Sequence, residues 1–87
     1  MRNHTEFAAW VETTAVKAGF DVDIPRSGAI SDLGAEIGTA HTTVWRVLAG
    51  ERVPAYRFWP AWAEALEVPT ESFRLEARKA LLGEERA

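Results

Sequence analysis

The sequence predicts an all-α fold of five helices in one compact domain over residues 1–87. Apolar residues recur at steps of three and four in five separate segments, which is the spacing of a single helix face. Each segment ends at a residue that stops helices. These stops are Gly19, Gly38, Gly50, Pro69 and Gly83. The length of 87 residues, with four Trp and four Phe for a small core, suits one domain, and we expect loose ends at 1–4 and 84–87.

The first helix is expected to begin after a capping side chain, Asn3 or Thr5, and to run to about Ala18. Its apolar side chains are predicted to face the core rather than to form a groove for a partner. They are Phe7, Trp10, Val11, Ala15 and Ala18.

The sequence of residues 20–28 predicts an extended loop between the first and second helices. Pro25 pushes Ile24 towards an extended backbone. Phe20, Val22 and Ile24 alternate with acidic residues, as in a strand, but one short extended segment does not make a sheet. We therefore expect a surface loop that is held in place by Phe20 and Ile24.

The middle of the chain predicts two short helices joined by a tight turn. Leu33 and Ile37, four apart, share one helix face, and Gly34 is small where the next helix must come close. Gly38 adopts a positive φ without steric cost, so it ends the second helix and turns the chain. Helix, glycine turn and helix in about twenty residues form a helix-turn-helix motif. The third helix, expected from about residue 40 to residue 49, is anchored by Val44, Val47 and Leu48.

A fourth helix is expected over residues 56–67, after a loop at 51–54. Pro60 lies near its first turn, where a missing N–H costs least. The predicted inner face consists of Trp59, Trp62, Ala63 and Leu66.

A fifth helix is expected from a cap at Thr70 to about Leu82, with Gly83 as its stop. Leu75 and Leu82, seven apart, form a second stripe, which is either a dimer seam or a wider edge of the core. The residues predicted to face inward are Phe73, Ala77, Ala80 and Leu81.

The helix-turn-helix region resembles the lambda-repressor-like regulators, which include the Xre and Cro-type proteins. The resemblance covers roughly residues 29–75 and extends through the exit of the fourth helix, Trp62 to Pro69. Two positions depart from the family pattern. Gly34 replaces the usual alanine, which is expected to weaken its helix slightly, and His41 stands where the family often has glutamine, which leaves the recognised base sequence open. The matching run is Leu33-Gly34-x-x-Ile37-Gly38-x-x-x-Thr42-Thr43-Val44-x-Arg46-Val47-x-x-Gly50-Glu51-Arg52-x-Pro54.

The resemblance implies base contacts from the outer face of the third helix, and the side chains there suit that role. Arg46 can donate two parallel hydrogen bonds to guanine O6 and N7, and Thr42 can bond a base edge or touch a thymine methyl. His41 can donate or accept at a base or a phosphate. The alternative for Arg46 is a solvated side chain or a salt bridge within the domain. Trp45 either contacts a thymine methyl or a sugar, or folds back over Val53 and Tyr56.

Phosphate contacts are predicted around this face. In the resembled family the loop after the third helix lies along the sugar-phosphate backbone, where contacts fix register but carry no sequence information. This loop holds Arg52 and Arg57 here. Thr43 either packs or bonds a phosphate. Arg26 and Ser27 either hold a phosphate at the entrance of the second helix or belong only to the surface loop.

The net charge of −3 argues against a nucleic-acid partner at first sight, but the charges are unevenly distributed. Residues 38–60 hold three arginines against one glutamate, a net +2, and include the candidate DNA face. Residues 1–37 carry −3 and residues 61–87 carry −2. Local charge matters most at the phosphates, because the Debye length is about 8 Å at physiological salt.

Other classes of function find little support in the sequence. The chain has two histidines and no cysteine, and it shows no Ser/His/Asp set, phosphate-binding glycine loop or HExxH pair. We therefore expect no enzyme activity, no metal and no cofactor; Asp21 and Asp23 lack the pattern of a calcium loop. No apolar run approaches the ~18 residues of a membrane span, and the lack of cysteine fits a cytoplasmic protein.

The expected function is sequence-specific binding of a double-stranded DNA operator by a transcriptional repressor. The overall resemblance extends this to control of a phage or another mobile element. We expect a monomer in free solution, with any pairing of two copies weak and either confined to DNA or dependent on segments outside this sequence. The rival hypothesis is a protein-interaction module on the same fold, such as an antitoxin or antirepressor. Such a module would have no reason to gather Thr42, Arg46, Arg52 and Arg57 in one basic segment.

Overall fold

The computed structural model describes residues 4–24 and 26–86, with side chains described through residue 83. This part of the chain contains five α-helices and no strand, which confirms the all-α prediction. The radius of gyration is 11.9 Å, close to the value of about 12 Å expected for a compact domain of this length. The helices are α1 (Thr5–Lys17), α2 (Ala29–Ile37), α3 (His41–Leu48), α4 (Trp59–Ala65) and α5 (Thr70–Arg86), with a 3₁₀ turn, Tyr56–Phe58, before α4.

Aromatic side chains fill the centre of the core. Phe73 of α5 is fully buried, and its ring lies 5.6 Å from Phe7, 5.8 Å from Trp10 and 6.1 Å from Trp62 between centroids. The contact with Phe7 is edge-to-face, a geometry that aromatic rings favour. Each such pair adds about 0.5–1.5 kcal/mol beyond its buried area. A few large side chains therefore give this short chain a core that joins α1, α4 and α5.

The end of α4 has an uncommon backbone conformation. The N–H groups of Glu67 and Val68 donate to the carbonyls of Glu64 and Ala63, at 3.1 and 3.0 Å, so the chain closes the helix and turns away. This turn places Glu67 at φ 57°, in the left-handed region that glycine usually occupies. A residue with a Cβ there costs roughly 1–2 kcal/mol relative to the right-handed region.

Several predicted helix ends need correction. Gly83 does not stop α5, which continues to Arg86, because one glycine inside a helix lowers its stability by only about 1 kcal/mol. Thr70 is the first residue of α5 rather than its cap, since the Pro69 carbonyl accepts the first helical hydrogen bonds, from Ser72 and Phe73.

The start of α1 and the length of the fourth helix also differ from the predictions. Residue 4 precedes α1 and Thr5 lies inside it, with no side-chain hydrogen bond capping the helix; Asn3 lies outside the described residues. The predicted fourth helix divides into the 3₁₀ turn and the shorter α4. Its predicted inner face is nevertheless buried, at Trp59, Trp62, Ala63 and Leu66.

Two apolar side chains, Ile24 and Leu81, are more exposed than predicted. Ile24 is 53% exposed, so it does not hold the loop in place as predicted. Phe20 and Val22 pack against the core instead. Leu81 is exposed rather than inward, while Phe73 and Ala77 are buried as predicted. The second stripe on α5 is no edge of the core, because its members Leu75 and Leu82 are 55% and 52% exposed. No helix among the described residues has the length and apolar character needed to cross a membrane.

Candidate nucleic-acid interface

The turn between α2 and α3 is built on Gly34. Its carbonyl accepts hydrogen bonds from the N–H groups of both Gly38 and Thr39, at 2.8 and 2.9 Å. Gly38 has φ 89°, which closes α2 and reverses the chain. A Cβ on Gly34 would lie 2.9 Å from the Thr39 carbonyl oxygen and 3.5 Å from the backbone of His41. The close approach predicted at Gly34 is confirmed, and it leaves too little room for the alanine usual in the resembled family.

The third helix divides into an anchored face and an open face. Val44 and Val47 have no exposed surface, and Leu48 packs partly against the core. α3 contacts α2 and α1 through this side of the helix. The open face holds two rows of residues four apart, which neighbour each other along a helix. These rows, all exposed, are His41 with Trp45 and Thr42 with Arg46, while Thr43 is half-buried beside them.

The C-terminal end of α3 is fastened to the start of α1. The N–H of Glu51 donates to the Arg46 carbonyl at 2.9 Å, with Gly50 at φ 79° between them. The N–H of His4 donates to the Gly50 carbonyl at 2.7 Å, and a Cβ on Gly50 would lie 3.6 Å from the His4 backbone. His4 is itself buried. Sequence reasoning missed this contact, since nothing in the sequence around His4 indicates a partner at residue 50.

Trp59 sets the shape of the loop after α3. Its indole Nε1–H donates to the Pro54 carbonyl at 2.8 Å, in a buried position. The ring of Tyr56 meets that of Trp59 edge-on, with centroids 4.8 Å apart. Arg52 is exposed on this loop and Arg57 on the 3₁₀ turn that follows it, where the Arg57 guanidinium lies 5.0 Å from the centre of the Phe58 ring. The segment is thus held from inside while Arg52 and Arg57 face outward.

The side chains of the open face have no partners of their own within the described part of the chain. There, Arg46 and Arg52 form neither an ion pair nor a side-chain hydrogen bond, so the predicted alternative of a salt bridge at Arg46 is not found. Trp45 is 52% exposed, and Tyr56 makes its ring contact with Trp59 rather than with Trp45. The guanidinium donors and the indole are therefore available to a ligand.

The predicted pair before α2 separates into two roles. The Ser27 hydroxyl donates to the Asp21 carbonyl at 2.9 Å and accepts from the N–H of Ala29 at 3.2 Å. Its single hydrogen is used inside the loop, so it has none left to donate to a phosphate oxygen. Arg26 is exposed, at φ 64°. Of the two, Arg26 alone keeps free donors.

One further cation lies beside the loop that follows α3. The Arg74 guanidinium of α5 lies 6.0 Å from the centre of the Tyr56 ring, and its Nε is buried without an acceptor. Counting charge by segments assigned Arg74 to the acidic last third of the chain. The contact of Arg74 with Tyr56 joins residues that are distant in the sequence. The sequence shows the charges along α5 but not which residues they meet.

Comparison of the chain with family models, with curated proteins and with solved structures found no match. Among the described residues, no group of three or more His, Cys, Asp or Glu side chains is placed to hold a metal ion. The function of the surface is therefore inferred from its own residues, which are hydrogen-bond donors and an indole on a helix that packs against α2 and α1.

Proposed function

We propose that this protein binds double-stranded DNA in a sequence-specific manner through α3, as a transcriptional regulator of the lambda-repressor-like helix-turn-helix type. One observation carries the proposal. The outward side chains of α3 are exposed and unpartnered within the described chain, while Val44 and Val47 hold the helix rigidly from behind. Rigid elements present recognition side chains more accurately than loops do.

The dimensions and chemistry of α3 suit the major groove. A helix about 10–12 Å wide fits a groove about 12 Å wide. Arg46 supplies a planar fork of donors for guanine O6 and N7, and Thr42, one turn earlier, reaches the neighbouring base edge. His41 lies in the first turn of α3, where recognition helices contact bases. These three side chains are assigned to base edges.

Phosphate binding is assigned to the cations around α3. Arg52 projects from the loop that Trp59 holds, Arg57 from the 3₁₀ turn after it, and Arg26 from the loop before α2. Thr43 is assigned to a phosphate, to which its hydroxyl would donate. The acidic remainder of the protein, which brings the net charge to −3, should keep non-specific affinity low.

Repression would follow from occupancy, because a domain bound over an operator blocks polymerase. This role belongs in the cytoplasm, and the resemblance to phage repressors makes a phage or mobile-element operator the first one to test. Pairing of two copies is assigned to the DNA-bound state.

A protein-interaction module, of the antitoxin or antirepressor kind, is the second candidate. The exposed leucines of α5, Leu75 and Leu82, favour it, because they form an apolar stripe that nothing in the described chain covers. A module of this kind would bind its partner equally well after Arg46 of α3 and Arg52 of the following loop are replaced by alanine.

The test begins with selection of bound duplexes from a random library by the purified protein. The preferred duplex, its single-base variants and random DNA are then titrated at several salt concentrations. Arg46→Ala should lose about 1–3 kcal/mol on the preferred site and relax preference at one base pair. Arg52→Ala should weaken every sequence alike and lower the salt slope by about one.

Arg78→Ala, an exposed arginine on α5, is the matched control and should bind like the parent protein. Equal losses on every sequence with Arg46→Ala would reassign that side chain to phosphate. No change with either Arg46→Ala or Arg52→Ala would refute the DNA proposal and favour the interaction module.

A further inference from the structure

Trp45 exposes an apolar surface in the middle of the proposed reading face. Half of its surface, 52%, is open, although the two valines of the same helix are fully buried. Among the described residues it has neither an aromatic ring partner nor a hydrogen bond. A single exposed apolar side chain is common on protein surfaces, so what distinguishes Trp45 is its place in the open face of α3, between His41 and Arg46.

The neighbours of Trp45 define what it can meet. His41 lies one turn before it and exposed Ala49 one turn after it, so the indole occupies the centre of its row. Arg46 follows it directly and lies in the adjacent row, one turn after Thr42. If Arg46 donates hydrogen bonds to the polar edge of a ligand, the group next to that edge would therefore contact the indole of Trp45.

Base edges in the major groove offer one apolar group, the C5-methyl of thymine. An indole has one N–H donor and no acceptor, so it matches the polar edges of the other bases poorly. Resting on the proposed function, we infer that Trp45 reads the C5-methyl group of a pyrimidine in the base pair next to the guanine that Arg46 reads. A 5-methylcytosine presents the same methyl group at the same position of the groove.

Thymine-to-uracil exchange removes this methyl group and changes no hydrogen bond. In the best duplex from the selection, each thymine is replaced singly by deoxyuridine, and affinities are measured for the parent protein and for Trp45→Ala. One position should weaken the parent by about fourfold, the value of one buried methyl. Trp45→Ala should be insensitive to that exchange, and Trp45→Phe should keep part of it.

A second arm replaces that thymine by cytosine or 5-methylcytosine. The methylated base should bind the parent protein more tightly than the unmethylated one, and Trp45→Ala should not distinguish them. Circular dichroism verifies that both variants keep the parent's helix content, which is expected for an exposed position.

Three outcomes would overturn the inference while DNA binding stands. They are a preferred duplex with no thymine beside the guanine of Arg46, uracil exchange without effect on the parent, and equal sensitivity in Trp45→Ala. Failure of the proposed function gives a different result, because then no duplex is selected at all. In that case the methyl assignment falls together with the DNA proposal.

Discussion

Gly34→Ala tests whether the turn before α3 is as closely packed as the structure has it. Alanine is the better helix former by about 1 kcal/mol, so propensity alone predicts a more stable protein. The new Cβ, however, would lie 2.9 Å from the Thr39 carbonyl oxygen, closer than real Cβ atoms come. The contacting atom belongs to the backbone of the turn and has no rotamer that moves it away.

The two effects oppose each other, and the contact should dominate. Overpacking of this kind costs about 1–3 kcal/mol, and the shift it forces would also strain the two hydrogen bonds to the Gly34 carbonyl. We expect a net loss of about 1 kcal/mol, which lowers Tm by about 4–8 °C in a domain of this size. Urea unfolding followed by far-ultraviolet circular dichroism measures the change.

Gly83→Ala is the matched control, since it is also a glycine within a helix. Nothing lies within 4 Å of a Cβ at that position. The control should therefore show the propensity gain alone, up to about 1 kcal/mol. If Gly34→Ala stabilised the protein as much as Gly83→Ala does, the close approach of the turn to α2 would be refuted.

Two further predictions concern the end of α4 and the state of association. Glu67→Gly should raise the free energy of unfolding by up to about 1 kcal/mol, since glycine adopts the left-handed φ without strain. Glu64→Gly, inside α4, is the control and should lower it by about 1 kcal/mol. A lower free energy of unfolding for Glu67→Gly in urea would contradict the left-handed conformation at residue 67. The free protein should be a monomer at micromolar concentration, because the stripe of Leu75 and Leu82 is far smaller than the roughly 1,200 Å² of a stable interface. Sedimentation equilibrium that shows a stable dimer would contradict this.

Periodicity predicted which way the helices face because it follows directly from helix geometry. Val44 and Val47 fixed the register of α3, and from that register the exposure of His41, Trp45 and Arg46 could be predicted. The function of those residues is a separate question, which the DNA titrations address.

Contacts between distant residues, and the difference between Gly38 and Gly83, were beyond sequence reasoning. Spacing shows that a side chain leaves its helix on one face, but it does not show what that face meets, so the Arg74 contact with Tyr56 was missed. Gly38 and Gly83 look alike in sequence, yet only Gly38 turns the chain, because only there does the following segment have to pack back on the helix before it.

The position of α1 between α3 and α5 has a consequence for how the chain folds during synthesis. With 13 residues, α1 is at the length where an isolated helix is marginal in water. Its packing partners leave the ribosome later, so nascent α1 stays unpaired until α3 and then α5 emerge. Phe7 in particular gains its partner Phe73 only when α5 has been made. Folding is therefore postponed until α5 has left the ribosome, and a chain released before α5 leaves its first helix to proteases and chaperones.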